Sequence, residues 1–301
     1  MKVYEALNTG RDLLIPSLKD RVFAYRVSET LLMHVLKIPK ERLLIMFRDE
    51  LPCRAEKSFV KLVRRRLAGE PLQYLLGYWW FYDRKFIVRK GVLIPRQDTE
   101  AVIEAIKSIE PTLPYPSTAV DAGSGSGIIG ITLKLEFSRF SEVTCIDKNP
   151  KAVKLTSENA RMHNASICVL KGDFFTLAAS LGKRFNLVVS NPPYVKKNAL
   201  KRLQAEVKKE PVTALDGGKH GINFYSRLAR NGGNFLVPGG YLVLEIGDKM
   251  GNIVKKTFKN RLGWKFIRAY KDFRGCTRAL IFRFLQGDPY SISGKAKKIR
   301  S

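Results

Sequence analysis

Asn191-Pro192-Pro193-Tyr194 directly follows the apolar run Phe185-Asn186-Leu187-Val188-Val189-Ser190. The pattern predicts a strand that ends in a rigid turn rich in hydrogen-bond acceptors. Two prolines remove two backbone N–H donors and fix φ, while their carbonyls remain. The Asn191 amide adds one acceptor and two donors, and Tyr194 offers a flat apolar wall with a polar tip. Such a turn suits a planar NH2 group, held by its two N–H bonds while a ring lies beside it. A Pro-Pro turn by itself more often only closes a strand. The segment upstream reverses that balance.

That segment is Val120-Asp121-Ala122-Gly123-Ser124-Gly125-Ser126-Gly127-Ile128-Ile129-Gly130. A strand from Ser117 is expected to run into it, and a helix from Ile128 to Leu135 to leave it. Glycines allow positive φ and close approach of a ligand to the backbone, and the helix N-terminus adds free N–H groups and positive potential. Gly125 to Gly130 also spells the dinucleotide pattern G-x-G-x-x-G, with Asp147 about 20 residues on, where that motif places an acid for a ribose. NAD is therefore one candidate ligand. S-adenosylmethionine fits better, because Asp121 stands where a carboxylate can meet a ligand ammonium, which NAD lacks. Asp147 ends the expected strand Val143 to Ile146 and is poised for ribose hydroxyls. Asp173 and Phe174 follow Ile167 to Leu170 and offer a carboxylate and a ring to an adenine. Helix capping explains any one of these acids but not the set. In an open α/β sheet all of them converge with Asn191 on one rim.

These segments, with several others, resemble the release-factor glutamine methyltransferases, the HemK-like family. The likeness runs over roughly residues 60 to 285. It takes in Gly69-Glu70-Pro71-Leu72-Gln73-Tyr74-Leu75-Leu76-Gly77, Phe81, Val92-Leu93-Ile94-Pro95-Arg96-Gln97-Asp98-Thr99-Glu100, the glycine loop, Asn191 to Tyr194, Glu210 to Leu215, and Pro238 to Gly247. The glycine loop and the Asn-Pro-Pro-Tyr box occur in many methyltransferases; the Gly69 and Leu93 segments are far more specific. Gln97 stands where the family usually has Pro, and Lys219-His220 replaces a commonly acidic residue.

The resemblance implies methyl transfer from S-adenosylmethionine, leaving S-adenosylhomocysteine, to the glutamine amide of the Gly-Gly-Gln motif in a peptide-chain release factor. Asn191, Pro192, Pro193 and Tyr194 would hold the acceptor, with Phe81 near the substrate glutamine. Asp121, Gly123, Ser124, Gly125, Ser126, Gly127, Asp147, Asp173, Phe174 and Asn191 would bind the cofactor. An N6-adenine methyltransferase poses the same chemical problem and is the alternative, although no separate target-recognition segment is evident.

The implied fold is a class I methyltransferase, Rossmann-like, with a mostly parallel seven-stranded sheet, a small N-terminal helical domain and a connecting β-hairpin. The boundaries expected are 1–76 for a helical substrate-recognition domain, 77–95 for the hairpin linker, 96–287 for the methyltransferase domain and 288–301 for a basic flexible tail. Phe59, Leu62, Val63, Arg66 and Leu67 keep helical spacing. Trp79-Trp80-Phe81-Tyr82, Phe86-Ile87-Val88 and Val92-Leu93-Ile94 suggest the hairpin. Trp264 to Tyr270 and Thr277 to Phe284 suggest a closing pair of strands. Residues 195–220 form a long, lysine-rich link, read as part of the protein-substrate dock.

The chain has 301 residues and 54 Lys+Arg against 27 Asp+Glu. Residues 249–301 alone carry 15 basic and 2 acidic side chains. Such a balance fits proximity to RNA or the ribosome, or equally a lysine-rich, solvated surface. Arg64-Arg65-Arg66 fits a solvated helix face better than a nucleic-acid patch. No apolar run reaches a membrane span. Four cysteines without a Cys-x-x-Cys pair suggest reduced thiols in the cytoplasm, and the scattered His34, His163 and His220 make no metal site. A cytoplasmic monomer without metal is expected.

Overall fold

A computed structural model describes residues 1–285. The basic tail expected at 288–301 lies outside the described residues. The chain divides into two units. The first holds Met1–Trp79, Val88–Lys90 and Leu203–Glu210; the second holds Trp80–Ile87, Gly91–Arg202 and the described residues from Pro211 to Leu285.

The first unit is helical: α1 (Val3–Leu18), α2 (Arg21–Leu36), α3 (Lys40–Ile45), α4 (Cys53–Leu67) and α5 (Leu72–Leu76). Asp20 caps α2 by accepting from the Phe23 N–H at 2.9 Å. Val3, Leu7, Leu14, Val27, Leu31, Phe59 and Val63 form its core. Gly10 lets α1 meet its neighbours closely, since a Cβ there would lie 2.4 Å from Ser28 Oγ and 2.7 Å from Phe59 Cζ. The Arg64-Arg65-Arg66 run is neither a patch nor a uniformly solvated face. Arg65 pairs with Glu70, whereas Arg66 is buried and forms an ion pair with Glu206. Helical geometry explains the difference, because consecutive residues point about 100° apart.

A two-stranded hairpin follows, made of β1 (Tyr78–Phe81), whose first two residues count with the first unit, and β2 (Arg84–Ile87). Tyr82 and Asp83 turn it with φ of 48° and 56°, the geometry that matches strand twist. A 3₁₀ turn at Gln97–Thr99 leads into α6 (Glu100–Ile109). Strands and helices then alternate: β3 (Ser117–Ala122), α7 (Ile128–Glu136), β4 (Phe140–Asp147), α8 (Pro150–Met162), β5 (Cys168–Lys171), α9 (Phe174–Ser180) and β6 (Phe185–Ser190). After the link come α10 (Asn223–Asn231), β7 (Leu236–Glu245), α11 (Gly251–Lys259), β8 (Trp264–Lys271) and β9 (Thr277–Phe284).

The sheet order is β5-β4-β3-β6-β7-β9-β8. Strands β5 to β7 run parallel, while β9 is antiparallel to both β7 and β8. Side chains alternate between two cores, as the pleat requires. Ala119, Leu187, Val189 and Val243 pack with α6 and α7. Val120, Val188, Leu242 and Leu244 pack with α9, α10 and α11. This is the seven-stranded class I methyltransferase arrangement. Val92-Leu93-Ile94 is not a strand: Gly91 turns the chain at φ 93°, and Val92 then packs against Ala152 and Leu155 of α8.

Candidate active site

The parallel strands deliver their loops to one rim, with the switch in strand order between β3 and β6. A cavity opens there. It is lined by Gly123, Ser124, Gly125 and Ser126 after β3, Asp147 at the end of β4, Asp173 and Phe174 after β5, and Asn191, Pro192 and Pro193 after β6. Val92 to Arg96, Thr99, Pro211, Thr213, Phe224 and Arg227 are also part of the wall.

Gly123 and Gly125 have φ of 81° and 58°, and a Cβ on either would meet nothing within 4 Å. Their bare backbone faces open space, which is the cradle a ligand needs. Asp147 braces it: Oδ2 accepts from the Gly125 N–H at 2.9 Å and Oδ1 from the Asn149 N–H at 2.8 Å. A carboxylate offers about four lone-pair sites, so these two bonds leave Asp147 with acceptor sites unused. Asp173 caps α9 through Phe175 and Thr176 and pairs with Arg227 at 3.2 Å. Burial works to raise its pKa, but Arg227 and the cap N–H groups outweigh that and hold it below the usual range. Capping and cavity lining therefore coincide in Asp173.

Four expected site residues do not line the cavity themselves. Asp121 is buried at 1% exposure beneath the loop. Its Oδ2 accepts from the Gly130 N–H at 3.0 Å, and its Oδ1 has no hydrogen-bond partner among the described residues. Burial, reinforced by Asp147, pushes it up to about 7. Gly127 caps α7 at φ 83°, where a Cβ would lie 2.8 Å from Thr156 Cγ2. Tyr194 turns its ring toward Gly247 and Met250, and burial raises its hydroxyl to about 12. Phe81 is 1% exposed in the α6–α7 core, its ring 6.3 Å from Phe86. Strand alternation turns Phe81 inward, and Val92, Leu93 and Ile94 supply apolar wall at the cavity instead.

The family models that match are the PrmC N-terminal domain over residues 5–77 and the Methyltransferase small domain over residues 99–218. The release factor glutamine methyltransferase of Aquifex aeolicus is 36% identical over 258 residues, covering 85% of this chain and 90% of its own. That of Moorella thermoacetica is 38% identical, covering 84% of this chain and 89% of its own. The chain belongs to the release factor glutamine methyltransferase family. It is thus a methyltransferase, and neither hydride transfer nor adenine methylation is favoured.

Within this family member, Asn191 is held by residues absent from the sequence-based site. Its Nδ2–H donates to Thr99 Oγ1 at 3.2 Å. Thr99 in turn hydrogen-bonds the Glu245 carboxylate. Thr99 is fully buried and Glu245 is 1% exposed, at the end of β7 beside β6. The available signal for Thr99 was its place in the family-specific Leu93–Glu100 segment. The link after Tyr194 is also ordered: the Val195 N–H donates to the Leu215 carbonyl and the Gly217 N–H to the Val195 carbonyl, both at 2.8 Å. The atypical Lys219 and His220 sit exposed at a turn tip.

No helix among the described residues is long and apolar enough to cross a membrane. Among those residues, no cluster of three or more His, Cys, Asp or Glu side chains can hold a metal.

Proposed function

We propose that this chain transfers a methyl group from S-adenosylmethionine to the side-chain amide nitrogen of the glutamine in the Gly-Gly-Gln motif of a peptide-chain release factor. The observation that carries this is the convergence of Asn191, Pro192 and Pro193 with the bare glycine loop and Asp147 on one cavity.

The residues present suit the donor. The open cradle at Gly123 and Gly125 admits a ligand against the backbone, the unused lone pairs of Asp147 suit ribose hydroxyls, and Asp173 with Phe174 suits an adenine edge and face. The free oxygen of Asp121 lies beneath the loop, where it favours a cationic amino group electrostatically. S-adenosylmethionine, when bound, supplies a sulfonium methyl whose carbon accepts the amide nitrogen's electron pair as its C–S bond breaks.

An amide nitrogen is a poor nucleophile because its lone pair is delocalised into the carbonyl. Asn191 Oδ1 and the Pro192 carbonyl accept its two N–H bonds, which turns the lone pair toward the methyl. Orientation of this kind lowers the barrier by several kcal/mol, and these hydrogen bonds strengthen as the nitrogen becomes cationic. One N–H proton then passes to water, so Asn191 need only orient and no side-chain base is required. On this reading the enzyme works as a monomer in the cytoplasm, and its surplus of Lys and Arg suits the neighbourhood of ribosomal RNA.

The test incubates the protein and radiolabelled donor with a release factor, with its Gly-Gly-Gln→Gly-Gly-Ala variant, and with nucleic acid. Label on the wild-type factor alone is expected. Label on nucleic acid alone would assign an adenine acceptor instead.

A further inference from the structure

Asn191 can act as an acceptor only if its amide is turned the right way. Rotation by 180° about its last bond would exchange Oδ1 for NH2, and an NH2 group aimed at the glutamine NH2 would repel it. The two orientations are nearly isosteric, so shape cannot choose between them. Hydrogen-bond polarity can.

Asn191 Nδ2 lies 3.2 Å from Thr99 Oγ1. Thr99 has a single hydroxyl proton, and its hydrogen bond to Glu245 engages that proton while the carboxylate is ionised. An ionised carboxylate only accepts, so Thr99 can offer Asn191 only lone pairs. The amide must then present N–H to Thr99 and Oδ1 to the cavity. We propose that Glu245, acting through Thr99, is a positioning residue that locks the Asn191 amide with its oxygen toward the methyl acceptor. This rests on the reading of Asn191 as the acceptor-holding group.

Two further observations support it. Glu245 Oε2 is buried with no hydrogen-bond partner among the described residues, a costly arrangement for a side chain with only a structural role. The end of β7 does not need it, because the Tyr225 hydroxyl already secures the Glu245 backbone carbonyl at 2.8 Å. The surroundings of Glu245 are mixed. Asp98 opposes its charge, Arg278 and Arg96 favour it, and Tyr194 and Tyr225 lie nearby as neutral phenols. Arg278 is itself shared with Asp98 at 3.1 Å and Asp272 at 2.8 Å. Burial, with Asp98, therefore prevails and pushes Glu245 up to about 7. Once protonated, Glu245 can donate to Thr99, Thr99 can donate to Asn191, and the lock is lost.

The experiment compares wild type, Thr99→Val, Thr99→Ser and Glu245→Gln on a release factor, with donor affinity by calorimetry and kcat measured from pH 5.5 to 9. Thr99→Val and Glu245→Gln are expected to lower kcat about tenfold or more at pH 8, the loss of roughly one charge-assisted hydrogen bond, with donor affinity unchanged. Thr99→Ser, which keeps the hydroxyl, is expected to stay near wild type. The wild-type kcat is expected to fall on the acid side of about 7, and Glu245→Gln to lack that limb. Unchanged kcat in Thr99→Val, or an acid limb that survives in Glu245→Gln, would overturn the relay while leaving the function standing. If Thr99→Val does not fold, the Glu245→Gln pH profile decides. A wild-type protein inert on the factor would overturn both.

Discussion

Gly125 and Asp147 are joined by a 2.9 Å hydrogen bond from the glycine N–H to Oδ2. That bond ties the loop after β3 to the end of β4, so the residue expected to meet the ribose also shapes the cradle beside it. Asp147→Ala removes both contributions. Donor affinity is expected to fall by about 10- to 100-fold, the scale of one or two hydrogen bonds to a charged group. Titration calorimetry measures this directly, and an unchanged affinity would take Asp147 out of the ribose role.

Asn191 makes the complementary case. Its Nδ2–H is committed to Thr99, and it lines the cavity next to Pro192. Asn191→Ala is expected to leave donor affinity within about twofold while lowering turnover on the order of 100-fold, because orientation of the acceptor is lost. Equal loss of binding and turnover would mean that Asn191 serves the donor rather than the acceptor.

Asp121 sets a pH dependence of stability. Burial raises its carboxyl from 3.8 to about 7 in the folded protein. The folded state then holds the proton more tightly than the unfolded chain. Stability is full below about 4 and falls as pH rises toward 7, levelling off above it. Asp121→Asn keeps an acceptor for the Gly130 N–H and removes the charge. Relative to wild type it is expected to gain stability at pH 8, on the order of a few kcal/mol, and nothing at pH 4. Denaturant unfolding at the two pH values checks this; equal gains at both would mean that the charge is not responsible.

What the sequence made legible follows from how local each signal is. A strand, a run of alternating glycines and a helix occupy consecutive residues from Ser117 to Glu136, so their geometry can be read in order. The strand Phe185–Ser190 and the box behind it are equally local. Thr99 and Asn191 are 92 positions apart and meet only because the turn before α6 reaches the end of β6. Glu245 joins them through the pairing of β6 with β7. No periodicity within either segment encodes such a meeting. Phe81 illustrates the converse. In the run Trp79-Trp80-Phe81-Tyr82 only the family resemblance sets Phe81 apart as a wall of the site, whereas the pleat of β1 and the partner Phe86 turn that ring into the core. Arg66 was hidden for a similar reason, because its partner Glu206 is 140 positions away.

Arg66 supplies the last prediction. Within the first unit its guanidinium is 3% exposed and forms an ion pair with Glu206, and it also donates to the Glu70 carbonyl at 3.3 Å. Beside it, Gly69 at φ 79° lies against Ala205, 3.5 Å from the position of its missing Cβ. These contacts fasten the segment Leu203–Glu210 to the helical unit. Truncating Arg66 leaves Glu206 without its partner. Its side chain is about one-third exposed, so water compensates the carboxylate and the stability cost falls short of a fully buried broken pair, at roughly 1–3 kcal/mol. The sharper effect is local opening. Arg202, Lys208 and Lys209 flank or lie within the fastened segment, so limited trypsin digestion of Arg66→Ala is expected to cut there several-fold faster than in wild type. Arg66→Lys, which keeps the charge without the fork, should fall between the two. Equal cleavage rates in all three proteins would mean that other contacts hold the segment.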